Sequence, residues 1–454
     1  MTVNSAISND ALDGAIFPTF VKYLIPSILG LIAMTSSSLV DGIFIGNYVG
    51  VTALAAVNLI IPIITLLFGV SMMIAIGGSV RGGKYLGEKN RSAASAIFSK
   101  SLIFMAVYGV MVITLALAFE DQLFAGLGAT KELFPVMSEY YRIIMPFVIF
   151  QLIIIPLYFF IRLDGLPNLA AAALAVGAVV NIILDYLFIA VYDWGLTGAA
   201  WATGLSEVLS LLVIMLYFFR PEKTLSFSFR QNNWREIFQA AYNGISEFIN
   251  EVSGAIIAFI FNWMLIQRAG VEGVAAITVV NYMMMTGFMM FFAIEDTSQV
   301  MISQNFGARN TQRIRVFLKT ACFIVALISL GFIAILATAS EPLIYLFVDE
   351  KNSTQTVILA LEFVTYVWPI FIFAGFNMMI TGYLTAAHLP FQSAFLALSR
   401  GLVLPTGFLI LFYSLLSDFR FIAALSISEG IAFMLAIGLF LSYSPEKTTS
   451  GVRG

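Results

Sequence analysis

The chain contains two copies of one long apolar pattern, and this internal repeat limits its fold more than any single motif does. Residues 50–90 align with residues 270–310 without a gap, at a constant offset of 220. A second register, offset by 223, pairs Glu139 with Glu362 and Pro146 with Pro369. A duplication of this length predicts two lobes with the same order of helices.

The repeated segments are apolar enough to cross a membrane. Hydrophobic residues make up 60% of the chain and charged residues only 11%, and a spanning helix needs roughly 20 apolar residues. We predict twelve helices, six in each half, so the predicted fold is an all-α polytopic membrane protein. Because six is even, the two six-helix lobes are expected to be parallel, with a pseudo-two-fold axis along the membrane normal. The predicted spans are 17–44, 53–80, 93–119, 134–161, 168–192, 195–219, 237–267, 273–300, 314–340, 356–386, 390–416 and 421–443.

The distribution of lysine and arginine predicts the orientation. Of the 23 such residues, fifteen lie in one set of predicted loops and four in the opposite set. Since basic loops stay in the cytoplasm, we expect a multi-pass protein of the bacterial or archaeal cytoplasmic (inner) membrane, with both termini inside. The first apolar run continues into a spanning helix, which argues against a cleavable signal peptide. The predicted parts are an N-lobe at 1–219, a cytoplasmic linker at 220–236, a C-lobe at 237–445 and a cytoplasmic tail at 446–454.

The composition argues against several kinds of chemistry. One cysteine, Cys322, and one histidine, His388, cannot supply a disulfide, a thiolate cluster or a convincing nucleophile–base set. The glycines at 77–87 are not followed by Gly-Lys-Ser/Thr and so do not form a phosphate loop. We expect no enzymatic activity, no cofactor and no metal. The expected partners are the lipid bilayer and small organic molecules, with no nucleic acid, and we expect a monomer.

Two carboxylates in the first half need a reason, because each costs about 2.5 kcal/mol or more inside a bilayer. Asp41 lies near the end of the first predicted helix, with Ser37 and Ser38 one turn earlier. Asp185 lies at a similar depth in the fifth helix, with Asn181 one turn before it. Two acids that share a poorly hydrated site hold a proton between them more readily than isolated acids do. The pair is therefore predicted to bind the coupling proton, the alternative being that Asp41 merely ends its helix and faces water.

Three more residues of this half are candidates for a role in transport. Glu207 and Thr203 on the sixth helix add polarity beside the carboxylates, as support for the site or as a contact that joins helices. Pro26 removes a backbone hydrogen bond within the first helix and predicts a kink there. That kink either moves during transport or is a fixed feature of helix shape.

The second half has its own acids. Glu247 and Glu251 are four residues apart and share one face of the seventh helix, while Glu295 and Asp296 lie late in the eighth. We predict that these acids contact a cation or the substrate, with Tyr282 offering a ring face to a cation. The alternative is that Glu247 is hydrated near the cytoplasmic end of its helix and that Glu295 and Asp296 line a water-filled entrance.

Four local motifs resemble one transporter family. The matching runs are Val40–Gly46 with Gly50 and Leu54–Ala56, Tyr85–Asn90 with its repeat Asn305–Asn310, Asn181–Ile189, and Gly195–Thr203. In these motifs, and in its two-by-six layout, the chain resembles multidrug and toxic compound extrusion (MATE) transporters, which belong to a larger group that also holds lipid and polysaccharide flippases.

The resemblance implies an exporter of bulky, often cationic or amphipathic compounds, driven by inward flow of H⁺ or Na⁺. In proton-coupled prokaryotic members, an aspartate pair and a nearby asparagine match Asp41, Asp185 and Asn181, and a proline like Pro26 is associated with bending of the first helix. Sodium-coupled members pair an acid on the seventh helix with one on the tenth. Here the tenth helix has only Glu362, near its start, so the resemblance favours H⁺ over Na⁺.

Three other functions remain open from the sequence. A major-facilitator antiporter also has six plus six helices, but the loop at 82–87 lacks its Asp-Arg signature. A lipid-linked oligosaccharide flippase that carries an anionic headgroup should have several cations in its cavity, whereas the candidate cavity charges here are acidic. A membrane enzyme is disfavoured because no nucleophile–base set is found.

Overall fold

The computed structural model describes residues 9–345 and 354–449. Within these ranges the regular structure is entirely helical, without a strand. Lys351 and Arg453, two of the cations used to predict the orientation, lie outside the described residues. So do the first eight residues of the predicted N-lobe and the last five of the predicted tail 446–454.

The described residues form two compact units, each with six membrane helices. The first unit ends at Gly244 and the second begins at Ile245, a boundary that lies after the predicted linker 220–236. In the first unit the helices are α1 (Ile16–Val49), α2 (Thr52–Gly87), α3 (Arg91–Ala118), α4 (Phe134–Leu163), α5 (Pro167–Val191) and α6 (Gly195–Phe219).

The second unit repeats this order. The fourth helix of this unit, which is the tenth of the chain, is broken near Trp368 into two segments that meet at a bend of 53°. With this pair taken as one span, the described residues contain the twelve predicted spans. They are α7 (Ile245–Gly270), α8 (Glu272–Gly307), α9 (Thr311–Ile344), α10 (Gln355–Val367 with Ile370–Ala386), α11 (Pro390–Leu415) and α12 (Phe419–Ser442).

One predicted span is wrong at its start. The seventh predicted helix, 237–267, begins too early, because Arg235–Asn243 is a separate short helix that ends at Gly244. The break between α7 and α8 is at Gly270, inside the predicted gap between 267 and 273, and the φ of +61° there suits glycine. Other short helices lie at Asp10–Asp13, Glu120–Gly126 and Pro445–Thr449.

The repeated Gly-x-x-Asn motif builds the same turn in both units. Asn90 caps α3 by accepting a hydrogen bond from the Ala93 amide at 3.0 Å, and Asn310 caps α9 by accepting one from the Arg313 amide at 3.1 Å. The residue before each asparagine is left-handed, and a side-chain oxygen at this position satisfies one of the free amides of the first helical turn. The sequence repeat is therefore also a repeat of local structure.

The short helix Arg235–Asn243 packs against α2 through backbone atoms. A Cβ on Gly77 would lie 1.9 Å from the carbonyl oxygen of Ala240, and one on Gly244 would lie 2.1 Å from that of Met73. Real carbon–oxygen contacts are never so short, so both positions require glycine. The contact explains Gly77, the first glycine of the 77–87 run.

A carboxylate on the same short helix gathers three donors from α2 and α3. Glu236 accepts hydrogen bonds from Arg81 Nε at 3.0 Å, Tyr85 Oη at 2.5 Å and Lys100 Nζ at 2.7 Å. The Lys100 and Glu236 side chains are both buried. Burial alone would raise the pKa of Glu236, but these hydrogen bonds outweigh it and lower that pKa below its ordinary value.

The linker is attached to the first unit at a second point. Asp164, in the turn between α4 and α5, accepts hydrogen bonds from the Tyr217 hydroxyl at 2.7 Å and the Thr224 amide at 2.8 Å. The predicted linker is therefore held at both of its ends by carboxylates.

Replacing Gly77 with alanine should lower the apparent melting temperature of the detergent-purified protein by at least about 2 °C, because the added methyl group forces two backbones apart. Gly331→Ala is the matched control, since a Cβ there meets nothing within 4 Å. Equal melting temperatures for the two variants would contradict the backbone contact.

The depressed pKa of Glu236 predicts a pH dependence of stability. A lowered folded-state pKa stabilises the protein above the unfolded value of about 4.3, and the contribution is lost as pH falls through the folded value. Glu236→Gln should therefore melt well below the wild type at pH 7, and the gap should close under acid conditions. Glu88→Gln, at an exposed pair with Lys84, should change little at either pH. A gap that is independent of pH would rule out the charge as its cause.

Candidate functional site

The two predicted coupling acids lie at corresponding places in adjacent helices. α1 packs along α5 within the first unit. Asp41 is followed by a π-helical turn, Ile45–Val49, and Asp185 is followed directly by another, Tyr186–Val191. Such turns insert one residue into the α-helical register and are frequent at functional sites. The two acids therefore stand at equivalent positions, each shortly before a π-helical turn.

The carboxyl groups of Asp41 and Asp185 lie within hydrogen-bonding reach of each other. Asp185 is fully buried. Among the described residues, no group donates a hydrogen bond to Oδ1 of Asp41 or to either carboxylate oxygen of Asp185. Two carboxylates in contact, with no cation beside them, repel strongly unless one of them carries a proton.

A polar network joins the same helices. The Ser37 hydroxyl on α1 donates a hydrogen bond to Oδ1 of Asn181 on α5. The Asn181 amide in turn lies 3.5 Å from the Thr203 hydroxyl on α6. The Ser38 hydroxyl donates instead to the Met34 carbonyl of its own helix at 3.3 Å, although Ser38 lines the same cavity as these residues. Of the residues predicted to support the site, the structure brings Ser37, Asn181 and Thr203 together.

A cavity of about 180 Å³ opens onto this network inside the first unit. Asp41 and Glu207 both line it, whereas Asp185 lies behind the lining. Within the described residues no lysine or arginine lines the cavity. Asp41 is therefore the member of the pair that a ligand in the cavity can reach, and the cavity favours positive charge.

Tyr140 on α4 is a site residue that sequence reasoning missed. Its buried side chain lies close to Thr203 and to both aspartates. An aromatic residue in an apolar segment is usually ordinary packing, so only the fold reveals its position. Pro26, by contrast, lies within α1, which is helical from Ile16 to Phe44, and its part in a moving kink stays a prediction.

The acids of the second unit also form a group. Glu247 accepts hydrogen bonds from Gln299 at 3.3 Å and from Asn250 at 3.5 Å. Glu295 lies against α10, where a Cβ on Gly382 would be 2.6 Å from its Cγ. In the described residues, no group of three or more His, Cys, Asp or Glu side chains is arranged to hold a metal ion. The glutamates are instead held by amides and by close packing.

These acids line a second cavity of about 410 Å³. Its polar lining includes four glutamates and one arginine, and its apolar lining includes Met284, Phe288 and Phe292 of α8. Tyr282, predicted to contact a cation, is not among the lining residues. The polar lining includes Glu247, Glu251, Glu295, Glu429 and Arg400.

Arg400 and Glu429 form an ion pair that was not predicted. Arg400 Nε on α11 donates to both carboxylate oxygens of Glu429 on α12, at 2.9 and 3.1 Å. The Asn377 amide on α10 donates to Glu429 Oε2 at 2.6 Å and to its carbonyl at 3.0 Å. The sequence did contain a signal for this pair. An arginine lies within the predicted span 390–416 and a glutamate within 421–443, and a charged side chain inside a membrane needs a partner.

Known proteins of similar sequence are transporters. The Multidrug export protein MepA of Staphylococcus haemolyticus (strain JCSC1435) is 23% identical over 438 residues, which cover 95% of this chain and 94% of that protein. MepA of Staphylococcus aureus (strain MSSA476) is 22% identical over 401 residues, 87% of each chain.

Solved structures share the fold. A MOP superfamily transporter from Pyrococcus furiosus superposes with a TM-score of 0.89 at 24% identity, covering 97% of this chain and 98% of that chain. An outward-facing multidrug resistance MATE family transporter gives a TM-score of 0.88 at 24% identity, covering 98% of each chain.

The family match follows the internal repeat. The MatE family model matches twice, at residues 26–187 and at residues 248–409. Each match lies within one six-helix unit, and together they cover most of the chain. The chain belongs to the MatE family, as its four motifs predicted.

Proposed function

We propose that the protein is a secondary active multidrug efflux antiporter that exports cationic or amphipathic organic compounds in exchange for protons. The observation that carries the proposal is the contact between the Asp41 and Asp185 carboxyl groups, which have no cationic partner among the described residues. Its membership of the MatE family removes the major-facilitator alternative, and its relatives named multidrug export proteins support efflux.

The pair supplies a means of exchange. With one proton bound, Asp41 and Asp185 share a hydrogen bond and α1 stays close to α5. Without a proton, two negative charges repel each other, and a cationic ligand at Asp41 relieves that repulsion. Proton and cation therefore compete for one carboxylate. A ligand drives a conformational change only through different affinities for the two states, and here the two ligands leave different charges between the same helices.

The cavity charges favour cationic substrates. Asp41 and Glu207 line the first cavity, and in the second four glutamates face one arginine. An anionic lipid-linked headgroup would meet mostly negative charge in both. This balance supports export of organic cations over the flippase alternative.

Protons are favoured over sodium as the coupling ion. A sodium site of the kind implied by the resemblance needs an acid on α10 opposite α7. The α10 residue beside the Arg400–Glu429 pair is an amide, Asn377, and its side chain already donates a hydrogen bond to Glu429. Glu362 accepts a hydrogen bond from Tyr366 at 3.2 Å and does not line the cavity. Further parts of the proposal are a monomer, cytoplasmic termini and insertion in the cytoplasmic membrane with its basic loops inside.

Asp41→Asn should abolish proton-driven export and Asp185→Asn should impair it, because asparagine keeps the size of the side chain but cannot carry the exchanged proton. The double variant should be no worse than Asp41→Asn alone, since the two groups act as one titrating pair. Export of a fluorescent cation from energised vesicles measures this. The control is Asp193→Asn, at an exposed left-handed position that asparagine tolerates.

The same vesicles identify the coupling ion when the H⁺ and Na⁺ gradients are collapsed separately. Loss of export only on collapse of the H⁺ gradient agrees with the proposal. Wild-type export by a well-expressed Asp41→Asn variant would refute the role of the pair. Complete loss of proton-driven export in Glu247→Gln or Glu251→Gln, with export retained in Asp41→Asn, would move the coupling site to the second unit.

A further inference from the structure

The cation exchange proposed above leaves Arg400 unused, although this arginine lines a cavity in the membrane-spanning part of the second unit. We propose that Arg400 forms a carboxylate subsite of the second cavity and recognises the carboxylate of aromatic compounds that also carry a cationic nitrogen group. This inference rests on the proposed export function and names the residue that sets this part of its specificity.

The backbone places Arg400 by a local irregularity. Residues Ser399–Val403 form a π-helical turn, in which the Leu404 amide donates to the Ser399 carbonyl five residues earlier. Pro405 has no amide hydrogen to donate to Gly401, so the regular α-helical bond is missing at this point. The turn inserts a residue into the helical register, and such turns are enriched at functional sites.

The guanidinium group is held on one side and open on the other. A guanidinium has five N–H donors in a planar fork. The Nε donor goes to Glu429, which Asn377 fixes in turn. Among the described residues, neither Nη1 nor Nη2 makes a hydrogen bond, and neither is a buried atom that lacks a partner. These amino groups are the ones that bind a carboxylate with two parallel hydrogen bonds.

The remaining lining supplies partners for the other parts of such a ligand. Glu247, Glu251 and Glu295 lie in the same cavity, and the charge of Arg400 also acts on Glu295. A plain anion would meet these carboxylates, and a plain cation would leave the guanidinium amino groups without a partner. A zwitterion satisfies both charges, and the rings of Phe288 and Phe292 provide an apolar surface for an aromatic body.

A purely internal role for Arg400 makes a different prediction. If the Arg400–Glu429 pair only joins α11 to α12, replacing both residues with neutral amides should affect all ligands alike. If Arg400 binds a ligand carboxylate, only ligands with that group should lose affinity. Changing both residues also avoids leaving one buried charge unpaired.

Rhodamine 110, a zwitterion, and rhodamine 123, its methyl ester and a simple cation, differ only at the carboxylate. Binding of each dye to the full-length protein in lipid nanodiscs is measured by fluorescence polarisation at pH 7.4. Arg400→Gln/Glu429→Gln should weaken rhodamine 110 binding by about tenfold or more, as expected for a lost charged hydrogen bond. Its effect on rhodamine 123 should be at least about fivefold smaller, because that dye has no carboxylate and the double change leaves the net charge of the lining unaltered. Arg400→Lys, which keeps the charge but not the fork, should also weaken rhodamine 110 selectively.

The control variant is Arg420→Gln, which removes the arginine of an exposed ion pair with Asp418 and should change neither dye. Retained rhodamine 123 binding shows that a variant is folded. The inference is overturned if the wild type binds rhodamine 123 but not rhodamine 110, or if the Arg400 variants affect both dyes equally. If the wild type neither binds nor exports rhodamine 123, the proposed function itself fails, and the inference fails with it.

Discussion

The structure depends on the absence of water in the bilayer core, which leaves every buried charge to be satisfied by the protein itself. Three arrangements occur in this chain. Glu429 is paired with Arg400, and Glu247 is held by the amides of Gln299 and Asn250. Asp41 and Asp185, under the proposed function, share a proton. The first two are permanent parts of the protein, whereas a proton can be gained and lost. The physical difference between a structural charge and a coupling charge is therefore whether its partner is covalently part of the chain.

The features that were predicted from the sequence are those fixed by segment length and by the repeat. Twelve apolar runs longer than a bilayer is thick specify spanning helices, and the paired Asn90 and Asn310 motifs give the same helix cap twice. The approach of Asp41 to Asp185 also followed from length, because two helices that run in the same direction place residues of similar position at similar depth. Depth in a membrane is a one-dimensional quantity, and a sequence records it directly.

The features that were missed depend on rotation about a helix axis and on packing between helices. Tyr140 and Arg400 reach their sites because of how α4 and α11 are turned, and a π-helical turn changes that angle without any clear sequence signal. The short helix Arg235–Asn243 was merged with α7 because only the contact of Gly77 with Ala240 separates them. Such a contact joins residues far apart in sequence, and hydrophobic periodicity carries no information about it.

The position of Glu236 has a consequence for the way in which the protein is made. Lys100 and Arg81 emerge from the ribosome well before their carboxylate partner, which comes only after α6 is complete. A nascent chain that ends with α6 holds a lysine destined for burial but not the acid that neutralises it. The first unit therefore becomes electrostatically complete only when synthesis has passed residue 236, just before the second unit begins at Ile245. The order of synthesis thus decides when the buried lysine of the first unit is neutralised.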